Sequence, residues 1–516
     1  MKIAAFSDIH LKGKFNDQMF QKGIKIINET DCNYVICAGD LTDQGTVSDY
    51  KESLKYMKQI EKPYLIIPGN HDAMNVGDLL WEEYIGSRYF IEEDNQNRVK
   101  ILGLDSTEPD VNTGWLGPKG IERIYEEFED IPQSWFKILV FHHQTLPIPF
   151  TGRERSALND AGDAIKAILD CNVNLVLNGH RHISNVFRLS NGGDSALIVN
   201  IGTISCKKTR YKEEYSITTL DIDEDRSNIS IEVILLNKPE PVSTNKFSGN
   251  IHSLPKPTGK ELMATIVQIG MTDFSVSEYR FNLDMFAKGV KLINNIECDL
   301  VVHNGNVTDL SYFHEFERAK ILLQQISKPL LVVPGPQDAK PLGFELFPEY
   351  IGDMNPRFMK DRLTVLGFNT CILDEIEGQL GRNNSKLISK VLGKERKMHN
   401  KDHFNGVAFH HTIIPLPRTK HEAELTDAGD VLAMLVDNKI DLVLTGAKYR
   451  PGTWQVDDTV FVNAGTLSSY EINTKSGNSF NIISVYKTEL GKYFDITEVL
   501  VAKDSARTMG QFHVKR

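Results

Sequence analysis

Cysteine is scarce and scattered, at six residues in 516 (Cys32, Cys37, Cys171, Cys206, Cys298 and Cys371), and no two are spaced as CxxC. Such usage in a long chain reads as reduced thiols and argues against a disulfide framework. Apolar runs are short, and none approaches the length of a membrane-spanning helix. There is no Lys/Arg block, and the net charge is −11, so nucleic-acid backbone would be repelled. A strand-like run begins already at Lys2, so no signal peptide is expected and the expected location is cytoplasmic. What remains is a globular composition, 41% hydrophobic and 25% charged, in a chain long enough for two domains of ordinary size.

The first half alternates strand-like apolar runs with longer amphipathic stretches, the sign of an α/β sheet. Strands are predicted at Lys2–Phe6, Tyr34–Cys37, Tyr64–Ile67, Val99–Leu104, Ile138–Phe141, Leu175–Leu177, Ala196–Asn200 and Tyr215–Asp221. Helices are predicted at Phe15–Asn28, 48–60, Pro118–Phe128 and Asp160–Leu169. Five times an apolar run stops and is followed at once by Asp, Asn or His: Asp8-Ile9-His10, Gly39-Asp40, Gly69-Asn70-His71-Asp72, His142-His143 and Gly179-His180-Arg181-His182. In an open α/β sheet, loops at the carboxyl ends of strands are where sites are built. Asp8 and His10, two apart in an extended stretch, would point the same way.

The chain then repeats itself. Phe15-Asn16 with Lys22-Gly23-Ile24-Lys25 matches Phe281-Asn282 with Lys288-Gly289-Val290-Lys291, and Lys62-Pro63 through Pro68-Gly69 matches Lys328-Pro329 through Pro334-Gly335. Asp160-Ala161-Gly162-Asp163 matches Asp427-Ala428-Gly429-Asp430, and Asn200-Ile201-Gly202-Thr203 matches Asn463-Ala464-Gly465-Thr466. A period this long means two copies of one domain. Residues 237–260, with Pro239, Pro241, Pro255 and Pro257 among Ser, Asn, Thr and Gly, have a linker composition. The expected organisation is a domain over residues 1–236, a linker over 237–260 and a second domain over 261–516.

In the first copy the candidates are Asp8, His10, Asp40, Asn70, His142, His180 and His182, with His71 beside them. Oxygen donors mixed with imidazoles suit Mn, Fe, Zn or Co, and argue against calcium, which takes oxygen only. Seven donors are too many for one tetrahedral ion and suit two ions sharing a carboxylate.

These five motifs, in this order, resemble the calcineurin-like metallophosphoesterases across roughly residues 1–236, and most closely the class III phosphodiesterases that act on cyclic nucleotides or glycerophosphodiesters. The resemblance implies a four-layer α-β-β-α sandwich, hence two such sandwiches in tandem. It implies that Asp8, His10 and His182 hold one ion, that Asn70, His142 and His180 hold the other, and that Asp40 bridges. His71 takes the position of the family's substrate-facing histidine. Two ions can deprotonate a bridging water and neutralise phosphate oxygens, while the imidazole of His71 can hydrogen-bond the phosphoryl oxygen or protonate the leaving alkoxide.

Other polar residues have structural explanations. His143 reads as a core or supporting histidine, Asp43 as a turn acid, and Asp72, Asp160 and Asp163 as caps. Arg153, Arg155, Lys207 and Lys208 read as solvated charges, with a phosphate contact as the lesser reading for Arg153.

In the second copy, the repeat sets Asp273 against Asp8, Ser275 against His10, Asn306 against Asp40, Pro336 and Gln337 against Asn70 and His71, His410 against His142, and Ala447 and Tyr449 against His180 and His182. Most donors are gone, so this copy is expected to fold without catalysis and to serve as a structural or regulatory partner, an intramolecular pseudo-dimer. The leading function is hydrolysis of a small phosphodiester, a 3′,5′-cyclic nucleotide being one option. A phosphomonoesterase, a DNA nuclease and a non-catalytic scaffold are the alternatives. The acidic balance argues against the nuclease, and the full donor set of the first copy argues against the scaffold.

Overall fold

The computed structural model describes the whole chain except residues 152–157, 211–214, 277–278, 400–402, 420–423, 473–474 and 516, together with the side chains of 395–399. The chain divides into two compact units, Met1–Leu189 with Asp194–His252, and Ser190–Gly193 with Ser253–Arg516.

In the first unit the elements run β1 (Lys2–Phe6), α1 (Asp17–Glu29), β2 (Tyr34–Cys37), α2 (Val47–Met57), β3 (Tyr64–Ile66), α3 (Gly77–Tyr84), β4 (Phe90–Asp94), β5 (Val99–Gly103), α4 (Gly117–Phe128), β6 (Phe136–Val140), α5 (Ala161–Asp170), β7 (Leu175–Asn178), β8 (Asn185–Ser190), β9 (Ser195–Asn200), β10 (Ser216–Ile222), β11 (Asn228–Leu235) and β12 (Val242–Asn250). Strands β12-β11-β10-β1-β2-β3 form one sheet, and β8-β9-β7-β6-β5-β4 pair in that order in another.

Alternate residues along β1 and β2 explain the layering. Ile3, Ala5 and Ile36 point into a core shared with Ile101, Ile138, Val140, Leu177 and Val199 of the other sheet. Ala4, Phe6, Val35 and Cys37 point the opposite way, onto Phe20, Ile24 and Ile27 of α1 and Tyr50 and Met57 of α2. Helix, sheet, sheet, helix is therefore the order of layers. α1 starts where the Asn16 side chain accepts from Met19 N, and α2 starts at a Thr46/Asp49 capping box.

The second unit repeats the scheme: β13 (Glu261–Ile269), α6 (Leu283–Asn294), β14 (Leu300–His303), α7 (Phe313–Leu323), β15 (Leu330–Val332), α8 (Gly343–Tyr350), β16 (Arg357–Lys360), β17 (Leu363–Gly367), α9 (Gly381–His399), β18 (Phe404–Ala408), α10 (Ala428–Asp437), β19 (Leu442–Thr445), β20 (Gly452–Val456), β21 (Thr459–Asn463), β22 (Ser479–Lys487), β23 (Gly491–Leu500) and β24 (Ser505–Lys515). Its sheets, β15-β14-β13-β22-β23-β24 and β16-β17-β18-β19-β21-β20, match those of the first unit strand for strand.

The linker reading of 237–260 needs correction. Val242–Asn250 is strand β12, paired antiparallel with β11 across a bulge at Ile231/Glu232. It is an edge strand, exposed along most of its length, so its side chains carry the polar composition of a linker while its backbone completes a sheet. No described helix is long and apolar enough to cross a membrane.

Candidate metal centre

β1, β2 and β3 of one sheet and β6 and β7 of the other end at the same edge of the sandwich. Asp8 and His10 follow β1, Asp40 follows β2, Asn70 and His71 follow β3, His142 follows β6, and His180 and His182 follow β7. Two glycines let these loops meet. A side chain on Gly39 (φ +95°) would lie 2.6 Å from His142 Nδ1, and one on Gly69 would lie 2.3 Å from Asp40 Oδ1.

The expected extended stretch at Asp8-Ile9-His10 is not what the backbone does. Asp8, His10, Asp40, His180 and His182 all sit in the left-handed region, with φ of 56°, 52°, 55°, 72° and 57°. Each such non-glycine residue costs on the order of 1 kcal/mol, and the surrounding hydrogen bonds hold it there. Asp8 N and Ile9 N donate to Gly39 O and Asp40 O, while Thr203 Oγ1 and Ser205 Oγ donate to Asp8 O and Ile9 O. Both side chains are thereby aimed inward by strained turns, not by strand alternation.

All seven predicted donors come together. Asp8 Oδ1 lies 3.2 Å from His182 Nε2 and 3.9 Å from His10 Nε2, and the two imidazole nitrogens are 3.2 Å apart. Ligand atoms of Asp8, His10, Asp40 and His182 lie within 4.8 Å of one another. On the other side His180 Nδ1 is 2.9 Å from Asn70 Oδ1. Asp40 stands between the two groups, its Oδ2 3.3 Å from His10 Nε2 and 3.4 Å from His142 Nε2. Asp8, His10, Asp40, Asn70, His142 and His182 are all buried.

The second nitrogen of each imidazole fixes the first. His142 Nδ1 donates to Ala38 O at 2.7 Å, and His182 Nδ1 to Lys208 O at 2.6 Å, which leaves both Nε2 lone pairs facing inward. Asp43 Oδ1 lies 3.4 Å from His10 Nδ1, close enough to attract that ring's charge without a formed hydrogen bond. Among the described residues, the buried Nε2 atoms of His142 and His180 have no hydrogen-bond partner. Orphaned imidazole nitrogens beside buried carboxylates are the donor set that divalent transition metals take, so the residues fit two such ions.

The electrostatics agree. Burial pushes the Asp8 and Asp40 carboxyls up, yet His182 and His10 hold Asp8, and His142, His71 and His10 hold Asp40, well below the usual carboxylate range. Burial pushes His142 down, but the Asp40 carboxylate beside it lifts it to about 9. For His180 and His143 the pull of the Asp40 carboxylate is outweighed. Burial and neighbouring imidazoles drive His180 well down and His143 to about 3.

The structurally explained residues resolve individually. His143 Nδ1 pairs with Ser106 Oγ at 2.9 Å, its ring 4.8 Å from that of His180, and is fully buried support. Asp160 does not cap its own helix α5; its carboxylate accepts from Leu116 N and Gly117 N and caps α4 instead. Asp427 does the same for Leu380 N and Gly381 N. Lys208 is not merely solvated: it lines the site cavity. Arg153 and Arg155 lie outside the described residues.

Asp72 is fully buried and ties the β2 and β3 loops together, accepting from Leu41 N (3.0 Å), Thr42 N (2.7 Å), Gly69 N (3.0 Å) and Thr42 Oγ1 (2.8 Å). Burial and the Asp40 charge raise it to about 6. Asp72→Ala orphans three buried N–H groups, and a loss of about 3–5 kcal/mol is expected in urea unfolding. A loss under about 1 kcal/mol would mean that water replaces the carboxylate.

Two contributors have weak sequence signals. Cys206 is buried with Sγ grouped with His10 and His182. Arg181, inside Gly-His-Arg-His, lines the cavity.

In the second unit the backbone repeats and the donors do not. Met271 N, Thr272 N, Asp273 N and Phe274 N make the bonds to Gly305 O, Asn306 O and Val307 O that Asp8 N to Leu11 N make to Gly39 O, Asp40 O and Leu41 O. The expected correspondence is therefore off by two residues: Met271 stands where Asp8 stands, and Asp273 where His10 stands. A slip of two keeps every side chain of β13 on its own face, so apolar pattern cannot detect it. Of the seven donor positions only His410 keeps its residue type, with Nδ1 donating to Asn304 O at 2.7 Å.

Asp273 is buried, with the hydroxyls of Ser469 and Tyr449 beside its carboxylate. Burial raises it to about 7. An acid raised on folding contributes stability below its unfolded pKa and loses it as pH rises through about 7. Asp273→Asn is therefore expected to stabilise the chain by about 2–4 kcal/mol at pH 8 and by much less at pH 4, read from melting transitions at both pH values. Equal effects at the two would contradict this.

Residues 1–184 match the family model of the calcineurin-like phosphoesterases, so the first unit is a domain of this class of metal-dependent phosphoric ester hydrolases. A probable cyclic nucleotide phosphodiesterase of Xenorhabdus bovienii is 26% identical over 207 residues, 37% of this chain and 82% of that protein. A probable glycerophosphodiester phosphodiesterase of Arcobacter nitrofigilis is 30% identical over 166 residues, 29% of this chain and 59% of that protein. Among solved structures, a purple acid phosphatase from yellow lupin matches with TM-score 0.39 and 13% identity, over 48% of this chain and 53% of the lupin chain.

Proposed function

We propose that the first unit is a dinuclear phosphodiesterase acting on a small phosphodiester, with Asp8, His10 and His182 holding one ion, Asn70, His142 and His180 the other, and Asp40 shared. The single observation behind this is Asp40 Oδ2, 3.3 Å from His10 Nε2 and 3.4 Å from His142 Nε2. The mixed oxygen and imidazole donors favour Mn, Fe, Zn or Co. Bound ions would supply Lewis acidity toward the phosphoryl oxygens and a water of lowered pKa. The chain's own residues orient the reaction. Asp43 O accepts from His71 Nδ1 at 2.7 Å, which leaves Nε2 of that ring for the substrate or its leaving alkoxide. Both named relatives are phosphodiesterases, and the cyclic nucleotide named for one supports testing a 3′,5′-cyclic nucleotide first.

The second unit, with His410 as its only retained donor type, belongs to this reading as a non-catalytic structural or regulatory copy. Free, reduced cysteines support a cytoplasmic location. The test is metal-stripped chain with Mn, Fe, Zn or Co returned, assayed on bis-p-nitrophenyl phosphate and on p-nitrophenyl phosphate. Metal-dependent turnover faster on the diester supports the proposal; faster turnover of the monoester overturns it in favour of a phosphomonoesterase.

A further inference from the structure

Asn70 differs from the carboxylates and imidazoles around it in having two unlike ends. Its Oδ1 lies 2.9 Å from His180 Nδ1, and its Nδ2 donates to Asn112 Oδ1 at 3.2 Å. A carboxamide binds a metal through its oxygen, because its nitrogen offers only N–H groups. Turning the amide over hardly changes its shape, so its neighbours decide which end faces the cluster. His180 does not decide it alone, since an imidazole nitrogen donates or accepts according to its tautomer. The side-chain oxygen of Asn112 only accepts. It holds Nδ2 on its own side and so leaves Oδ1 toward His180 and the cluster.

The position of Asn112 is built. Two residues before it, Asp110 N donates to Ala73 O at 3.3 Å, and Asp110 Oδ1 accepts from Asn75 N at 2.6 Å. Two residues after it, Gly114 O accepts from Asn159 N at 2.7 Å, and a side chain on Gly114 would lie 2.3 Å from His143 Cγ. Asn112 is thus carried between two anchored points, and it lines the cavity beside Asn70. The second unit repeats this loop at the same length. Thr370 pairs with His411 and Gly378 O accepts from Thr426 N, as Ser106 pairs with His143 and Gly114 O accepts from Asn159 N. In that register Ile376 stands where Asn112 stands. Gly335 N donates to Asp338 as Gly69 N donates to Asp72, so Pro336 stands where Asn70 stands. The amide and its acceptor are lost together, while the backbone that carried them remains.

We infer that Asn112 is a positioning residue for the metal centre: its side-chain oxygen holds the Asn70 amide with Oδ1 toward the cluster, as a donor to the ion shared with His142 and His180. This rests on the assignment of Asn70 as a donor above. Groups that orient a metal ligand in this way set the affinity for the ion, by about 10–100-fold. Asn112 is exposed, and among the described residues its side chain makes only this hydrogen bond, so replacing it leaves the fold intact.

The test titrates metal-stripped full-length chain with Mn²⁺ and reads the dissociation constant of each ion by calorimetry, for wild type, Asn112→Leu, Asn112→Asp and Asn70→Ala. Asn112→Leu keeps the size and removes the acceptor. It is expected to weaken one ion by about 10–100-fold and to leave the other near its wild-type value. Asn112→Asp keeps an acceptor and has no donor, so it should bind both ions at least as tightly as the wild type. That rescue should persist at about 0.5 M salt, where the added charge at an exposed position is screened. Wild-type affinities in Asn112→Leu overturn the inference. So do equal losses at both ions, or an Asn112→Asp variant that binds no better than Asn112→Leu, since either assigns Asn112 to the shape of the loop alone. Wild-type affinities in Asn70→Ala, or no bound Mn²⁺ in the wild type, instead reject the donor assignment on which the inference rests.

Discussion

Asp40→Ala is expected to lower kcat/KM of the metal-loaded chain on bis-p-nitrophenyl phosphate by at least about 10³-fold, roughly 4 kcal/mol of lost transition-state stabilisation. The reason is positional. One oxygen of this carboxylate lies within 3.4 Å of imidazole nitrogens from both halves of the cluster, and the other accepts from His71 N at 2.8 Å. No other carboxylate among the described residues has that place. Removing it deletes the shared donor, frees the loop bearing His71, and leaves His142 without the charge that lifts it to about 9. Alanine also tolerates φ of 55° poorly, so Asp40→Asn is the companion variant. The second unit shows that asparagine keeps the backbone: Asn306 has φ of 50° and its Oδ1 accepts from Gln337 N. Activity of Asp40→Asn within tenfold of wild type would remove Asp40 from its assigned place.

His71→Gln is expected to cost about 10²–10⁴-fold in kcat on diesters with alkoxide leaving groups, with KM changed far less. His71 is held at three points. Its N–H donates to Asp40, its Nδ1 to Asp43 O, and its ring meets that of His10 edge-on at 4.4 Å. Burial holds it below the usual histidine range, with Asp40 opposing, so at rest Nε2 carries no proton near pH 7 and must take one up, from the attacking water, before it can donate. Gln337 takes the equivalent turn in the second unit, so the substitution keeps the loop. If His71 delivers a proton to the leaving oxygen, an acidic p-nitrophenol leaving group should hide most of the loss. An equal loss on both leaving-group types would assign it to binding the phosphoryl oxygen instead.

Strand ends were the legible part of this sequence. A short apolar run stopping at Asp, Asn or His has few physical readings, and five of them in order located seven donors that the fold brings together, though not Cys206 and Asp43, whose ligand atoms fall among the imidazoles. Strands with polar or mixed faces were harder. Phe90–Asp94 and Val242–Asn250 are edge strands with one or both faces in water, so composition hid them. The left-handed turns at Asp8, His10 and Asp40 had no local sequence signature, because hydrogen bonds from distant loops impose them. The same applies to Asp160, which caps a helix 43 residues earlier in the chain, at Gly117. The cationic side chains lining the cavity draw on three separated loops, and only folding makes Lys14 and Arg181 neighbours of Lys208 and Arg210. The two-residue slip at Asp273 marks the limit of pattern matching within strands.

The most direct test of the account is the number of metal ions per chain, measured by elemental analysis after loading and desalting, for wild type, Asp40→Asn and His410→Ala. About two ions are expected in the wild type, fewer in Asp40→Asn, and an unchanged count in His410→Ala, because no second donor cluster surrounds His410 among the described residues. No retained metal in the wild type, or a count that falls with His410 and not with Asp40, would contradict it.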